Sequence, residues 1–482
     1  MSREKWGRAL ARIVGRQNVI YEEDELLVYE CDGMTMDKAL PDVVVFPTTT
    51  AQVVEIVKWA NQEGVPFIAR GGGTGLSGGI IPVKGGIMIA LNKMNQILEV
   101  DLENKRAVVQ PGLVNLWLSE AVSDQGYHYV PDPSSQQACT IGGNVAENAG
   151  GPHTLKYGVT TNHVLGLEVV LPNGEVVEIG GKVEDNLGYD LRGLLIGSEG
   201  TLGIVTKVVV KIVRKPEAIK TLLGVFETVE AASNAVSAII GRGIVPAAIE
   251  MMDQLTLQAV EDYIHAGYPL DAGAVLLIEV DGLKEGLDEQ AKQIEEICYE
   301  NKAREVRVAQ DDKERALLWA GRKRAFGAIG RLSPTYYVQD GVIPRTKLPE
   351  VLQRIGEIGE RYGLRIANVF HAGDGNLHPL ILFDERDAEQ TKRVLKASSE
   401  ILKVCADVGG TISGEHGIGL EKMQEMSLIF SETDMKIMKQ IRAVFNPQEL
   451  CNPGKIFPTP GRCVELRKPP VLEKEGIRLE RW

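Results

Sequence analysis

Two short stretches concentrate the side chains that could do chemistry. The first is His371-Ala372-Gly373-Asp374-Gly375-Asn376-Leu377-His378, in which a Gly-Asp-Gly turn can fold two imidazoles toward one point. The second, Ser413-Gly414-Glu415-His416-Gly417-Ile418-Gly419, exposes a carboxylate beside another imidazole. The chain has only seven His, and these two stretches hold His371, His378 and His416, so the clustering is informative. Two imidazoles and one carboxylate make a ligand set that leaves open positions on Zn²⁺, Mn²⁺ or Fe²⁺. The bland alternative is a pair of hydrogen-bonded polar turns. A third stretch, Leu317 to Arg324, reads first as a helix with a basic face. Facing a small anion, one of its Arg could pair with a carboxylate through two parallel hydrogen bonds.

A different chemistry is written in glycine. Arg70-Gly71-Gly72-Gly73-Thr74-Gly75-Leu76-Ser77-Gly78-Gly79 is mostly bare backbone. Without Cβ atoms, successive N–H groups can turn the same way and form a nest for an anion, most often a phosphate. A plain turn is the competing reading. The spacing fits neither the Rossmann nor the P-loop pattern. Two further stretches bare their backbone: Cys139 to Gly151, after the rigid turn Val130-Pro131-Asp132-Pro133-Ser134-Ser135, and Ile196 to Ile204. Three such loops in one domain call for a single extended ligand of dinucleotide size.

The elements that must position these loops follow from periodicity. Residues 41–46 read as a buried strand, 51–62 as a helix with a Thr cap before it, and 64–69 as the strand that delivers the glycine loop. Strands are expected at 86–91, 106–112, 164–171, 175–179 and 205–213, with a helix at 114–125 and a Pro172-Asn173-Gly174 hairpin turn. Beyond residue 220 glycine thins out. Strands at 221–226, 246–251, 274–280 and 306–308 alternate with helices at 229–241, up to 263, and at 287–300. This suits an open antiparallel sheet with helices on one face.

A chain of 482 residues has room for two or three domains. Its formal charge of −13 argues against nucleic acid as a partner. No run of about 18 apolar residues is present, so no membrane span is expected. The N-terminus lacks the apolar core of a signal peptide. The six Cys form no Cys-x-x-Cys pair. They are expected to be reduced, in a cytoplasmic chain with no iron–sulfur centre of its own.

Pro47-Thr48-Thr49, Arg70 to Gly79, Pro131 to Ser135, Ile141 to Asn144 and Gly197 to Gly203 together resemble the FAD-binding domain of the vanillyl-alcohol oxidase/p-cresol methylhydroxylase (PCMH) superfamily. Trp319-x-x-Arg322, Tyr336 to Arg345, His371 to His378, Gly414 to Gly417 and Asn452-Pro453-Gly454-Lys455 narrow the resemblance. They are similar to the FAD-linked D-2-hydroxyacid dehydrogenases, with glycolate-oxidase flavin subunits closest and D-lactate dehydrogenases next. The resemblance implies an α+β fold. Residues 1–40 would be an N-terminal helical segment and 41–218 a two-subdomain PCMH-type FAD-binding domain. Residues 219–425 would be a substrate-binding cap with the metal site, its antiparallel sheet covered by helices. Residues 426–460 would be a C-terminal helical segment that returns to the flavin, and 461–482 a tail.

The same resemblance implies FAD. Arg70, Gly71, Gly72, Gly73, Thr74, Gly75, Ser77 and Gly78 would hold its pyrophosphate. Pro131, Asp132, Ser134, Gly142, Gly143, Asn144, Gly197, Glu199, Gly200, Gly203 and Ile204 would surround its ribityl chain and ring. Relatives that bind the flavin covalently use a His in the first loop. Gly73 and Thr74 stand there in this chain, so the FAD is expected to be non-covalent. His371, His378 and Glu415 would bind the divalent metal, His416 would be the general base and Arg322 would clamp the substrate carboxylate. Asn452 and Lys455 would reach the flavin.

The implied reaction takes a small D-2-hydroxy acid to the 2-oxo acid. The metal lowers the hydroxyl pKa, a neutral imidazole takes the proton, and the α-hydrogen leaves as hydride to flavin N5. Relatives acting on 2-hydroxyglutarate carry polar residues where this chain has Phe326 and Leu380, which favours glycolate or D-lactate. The implied redox partner is an iron–sulfur subunit with a second flavin subunit, or an electron-transferring flavoprotein. Through it the chain would sit peripherally at the inner membrane; a homodimer stays open. Two other readings compete: a metal hydrolase without flavin, and a flavin subunit that only relays electrons. The latter has no use for an open metal site.

Overall fold

The computed structural model describes residues 3–183 and 188–458, so the expected tail at 461–482 lies outside the described residues. The opening β-α-β unit forms as its pattern dictates. Thr49 caps the Thr50–Glu63 helix by accepting the Gln52 N–H at 3.3 Å, and Gly64 ends it at φ 65°. The helix buries Val53, Ile56, Val57 and Ala60. That stripe packs on three parallel strands, Val43–Val45, Ile87–Ala90 and Phe67–Arg70. Val19–Ile20 adds an antiparallel edge. Because Phe67–Arg70 runs straight into the glycine loop, a buried sheet fixes where that loop starts.

A second, five-stranded antiparallel sheet completes the N-terminal half. Its order is Ile97–Asp101, Arg106–Val109, Ile204–Lys211, Val164–Val170, Val176–Gly180. The Pro172-Asn173-Gly174 turn joins the last two, with Gly174 at φ 85°. One stretch departs from the expected bared loop. Ile141–Glu147 is a helix, capped by Thr140, whose hydroxyl accepts the Gly143 N–H at 3.3 Å. Gly-Gly-Asn has poor helix propensity, which hid it. Its glycine serves close packing: a Cβ on Gly142 would stand 2.5 Å from Pro111 Cβ.

The remaining chain forms a nine-stranded antiparallel sheet. At its centre lie Ala218–Phe226, Ala274–Gly282, Ala248–Asp253 and Arg365–His371. The expectation of helices on one face is corrected. Leu222, Leu276 and Ile278 point to one apolar cluster, with the helices Val229–Gly241, Leu287–Glu300, Leu348–Tyr362 and Ala388–Asp407. Leu223, Val275 and Leu277 point to another, with Gln254–Ile264, Asp312–Lys323 and Ala325–Ile329. These strands are apolar on both faces because both are covered.

The described C-terminal segment returns to the first sheet. Phe67 N–H donates to Leu450 O and Asn452 N–H to Phe67 O, each at 2.8 Å. Among the described residues, no helix is long and apolar enough to cross a membrane.

Candidate active site

Arg365–His371 and Asn376–Leu377 form a tight hairpin with His371 opposite Asn376. Gly375, at φ 81°, closes the turn where a Cβ would strike Ile343 O. His378 follows immediately, so both imidazoles emerge at one end of the sheet. The turn carrying Glu415 is wrapped around one carboxylate. Asp340 Oδ2 accepts from Ser413 Oγ at 2.7 Å and from the N–H groups of Gly414, Glu415 and His416 at 3.0, 3.2 and 2.8 Å.

The result is a convergent donor set. His371 Nε2 and His378 Nε2 each lie 3.2 Å from Glu415 Oε1. Ligands bound to one ion at about 2.1 Å stand about 3.0–3.4 Å apart, so the spacing fits a shared cation. The outer nitrogens are also held. His371 Nδ1 meets Glu250 Oε1 at 2.8 Å, and His378 Nδ1 meets Gln339 O at 3.3 Å. Such partners turn Nε2 inward as the free lone pair. Burial opposes charge on His371, yet Glu250 and Glu415 hold its imidazole well above the usual range. Burial would raise Glu415, but His371 and His378 hold it far below. Both directions describe a point that favours positive charge.

Arg322 is buried and paired with Glu250 at 2.5 Å, while its Nε has no partner. Glu250 therefore organises both an expected metal ligand and the expected clamp. His416 stacks on His378 at 4.9 Å, with Nδ1 buried and unpartnered. Burial holds its pKa down to about 4, against the pull of Asp340. It is thus neutral at pH 7.

One cavity of about 390 Å³ joins these groups to the glycine loop. Its wall contains Gly71 to Gly75, Ser134, Gly142, Gly143, Asn144, Glu199, Gly200, Gly203 and Ile204, and also Arg322, His371, His378, Glu415 and His416. Several expected cofactor contacts stand behind that wall or beside it. Arg70 donates to Cys31 O, and Ser77 O accepts the Leu420 N–H. Gly78 packs near Met34 and Leu420. Pro131 O accepts from Asn115, Asp132 meets His153 at 2.9 Å, and the Gly197 N–H donates to Val145 O. Asn452 donates to Gly79 O and Glu199 O, and Lys455 to Ile81 O. These last two lock the C-terminal segment to the glycine loop. Phe326 lines the cavity, edge-on to His378, whereas Leu380 is buried in the apolar cluster beneath.

Sequence reasoning gave no role to Glu250, Asp340 or Gln339. A signal existed for Glu250, the lone carboxylate in the apolar run Ala248-Ile249-Glu250-Met251-Met252. Glu279, in Leu277-Ile278-Glu279-Val280, is its counterpart and gathers His153, Arg315 and Trp319.

Comparison with known families gives the class of this cavity-bearing fold, a FAD-linked oxidoreductase. The FAD binding domain family model matches residues 41–180, and that of the FAD linked oxidases, C-terminal domain, matches residues 215–456. The chain belongs to the FAD-linked oxidases, and FAD is its cofactor. It is 46% identical to the glycolate oxidase subunit GlcD of Escherichia coli (strain K12), over 95% of this chain and 92% of that one. It is 35% identical to a D-lactate dehydrogenase of Anaerostipes hadrus, over 91% and 93%. The structure of p-cresol methylhydroxylase superposes with a TM-score of 0.79 at 18% identity, covering 94% of this chain and 96% of that one, and shares the fold.

Proposed function

We propose that this chain oxidises a small D-2-hydroxy acid, glycolate or D-lactate, to the 2-oxo acid. In this reading FAD lies non-covalently along the glycine-lined wall, and Zn²⁺, Mn²⁺ or Fe²⁺ sits on His371, His378 and Glu415. The observation that supports it most is that one cavity is walled by both the glycine loop and the imidazole–carboxylate cluster. When bound, FAD supplies hydride acceptance and the ion supplies Lewis acidity toward the substrate hydroxyl.

The chain's own residues do the rest. Arg322, pinned by Glu250 and with Nε–H unpartnered, binds and orients the substrate carboxylate. His416 is neutral at pH 7, and with Nδ1 buried, Nε2 takes the hydroxyl proton. Asp340 holds the turn that carries His416 by four donors, so the base is placed before substrate arrives. Phe326 narrows the cavity beside His378 and favours a substrate with no second carboxylate. The relatives named as a glycolate oxidase subunit and a D-lactate dehydrogenase support the substrate class. The word subunit supports a redox partner, either an iron–sulfur/flavin assembly or an electron-transferring flavoprotein.

A panel of 2-hydroxy acids with an artificial dye acceptor, run before and after chelation, tests this. Glycolate or D-lactate should reduce the dye, chelation should abolish it and added ion should restore it. A loaded protein that oxidises no 2-hydroxy acid, or one indifferent to complete chelation, would overturn the reading.

A further inference from the structure

Two acidic side chains of the flavin-binding half reach under the turn that carries Glu415 and His416. Glu199 is buried, and its carboxylate accepts the Ile418 N–H on Oε1 and the Gly419 N–H on Oε2, both at 2.7 Å. Those two bonds commit it as an acceptor. Glu147 lines the cavity, while its Oε2 is buried without a hydrogen-bond partner. Gly417 lies over both groups. A Cβ there would meet Glu147 Oε2 and, at 2.9 Å, Glu199 Oε1. The two carboxyls therefore face the same point of one backbone.

We propose that Glu147 and Glu199 share a single proton and together latch the 415–419 turn onto the flavin-binding half, as positioning residues for Glu415 and His416. The proposal rests on the reading of that turn as catalytic. A proton on Glu147 Oε2 gives the orphaned atom something to donate and gives Glu199 a third donor. The surroundings leave few alternatives. Glu147 ends the Ile141–Glu147 helix, where the helix dipole disfavours negative charge. The charged groups that act on it most are Glu199, Asp32, the cation Lys422 and Asp340. Lys422 is already engaged by Asp340 at 3.5 Å, Glu421 at 3.4 Å and Gly417 O at 3.1 Å. Glu199 is faced by the Ile418 and Gly419 N–H groups, Lys422 and Lys455. Burial, then Glu199, pushes the Glu147 carboxyl well above the carboxylate range. Burial raises Glu199 too, but its two N–H donors pull it back. Two buried carboxyls that face one point favour holding one proton between them over carrying two charges.

The pairing also explains why position 417 is glycine. At φ 83° the backbone turns back over the pair, with no room for a side chain.

The test compares the full-length holoprotein with Glu147→Gln and Glu147→Leu. The infrared spectrum of the unmodified protein at pH 7 should contain a protonated-carboxyl carbonyl band that shifts in D₂O and is absent from Glu147→Gln. Glu147→Gln keeps a donor to Glu199 and should hold kcat within about threefold, with a flattened alkaline limb. Glu147→Leu removes the donor to a charged acceptor and should lose about tenfold or more in kcat, with FAD content retained. Absence of the band, its persistence in Glu147→Gln, or equal losses in Gln and Leu would overturn the proposal. The band is read without substrate. A protein that shows it yet oxidises no 2-hydroxy acid would therefore contradict the proposed function and leave the shared proton standing.

Discussion

At one end of the cavity the wall is main chain. Gly71, Gly72, Gly73, Gly75, Gly142, Gly143, Gly200 and Gly203 present backbone because side chains would fill the space or strike a neighbour. At the other end the wall is ionic side chains, each fixed by a second buried group. Glu250 holds His371 and Arg322, Gln339 holds His378, and Asp340 holds the turn of Glu415 and His416. The first end is specified by volume and the second by charge. It follows that the glycine end should tolerate a change of charge and fail on a methyl group, and the other end the reverse.

The largest effect is expected from His416→Ala. It should keep both FAD and ion yet lose about 10²–10⁴-fold in kcat, the usual cost of removing a general base. Near-normal turnover would remove His416 from its role. Next comes Glu250→Gln, which keeps volume and removes the charge that holds His371 and Arg322. Ion affinity should fall about 10–100-fold, with a raised KM and with FAD content intact. Gly72→Ala is the converse. Its Cβ would strike Ala138 O, so FAD affinity should fall about tenfold while titrated ion binding persists. If Gly72→Ala released the ion, or Glu250→Gln released the flavin, the two ends would not be independent.

How much of this was legible follows from range along the chain. The glycine loop, the strand that delivers it, the Pro172-Asn173-Gly174 hairpin and the His371 to His378 turn are local, so neighbouring residues specify them. Glu250 reaches His371 across 121 positions, and no local pattern announces that. Glu199 was legible as part of a bared loop, but its carboxylate turns to the Ile418 and Gly419 N–H groups 219 and 220 positions on. Asn452 is expected at the flavin, and its side-chain amide ties Gly79 to Glu199, contacts 373 and 253 positions apart that no local pattern announces. The helix Ile141–Glu147 was missed because its glycines lower helix propensity, while close packing against Pro111 demands one at Gly142.

The smallest expected effect lies at the seam between the halves. His153 meets Asp132 at 2.9 Å and Glu279 at 3.3 Å, bridging the flavin-binding half to the nine-stranded sheet. Burial opposes its charge, but those carboxylates raise its pKa to about 10. Its folded value lies above the ordinary 6.5, so its stabilisation is complete below that value and fades as pH rises through about 10. Tm should decline across that window, and His153→Gln should lower Tm at pH 6 and flatten the decline. An unchanged Tm–pH curve in the variant would remove His153 as a bridge.

The most direct measurement of the central claim is anaerobic bleaching of the bound flavin by glycolate and by D-lactate, followed in one turnover. With ion present, one of these acids should bleach the flavin quickly. After chelation the flavin should stay bound and yellow, and bleaching should return when the ion is restored. Equally fast bleaching in fully chelated protein, or none by either acid with both groups bound, would contradict the account.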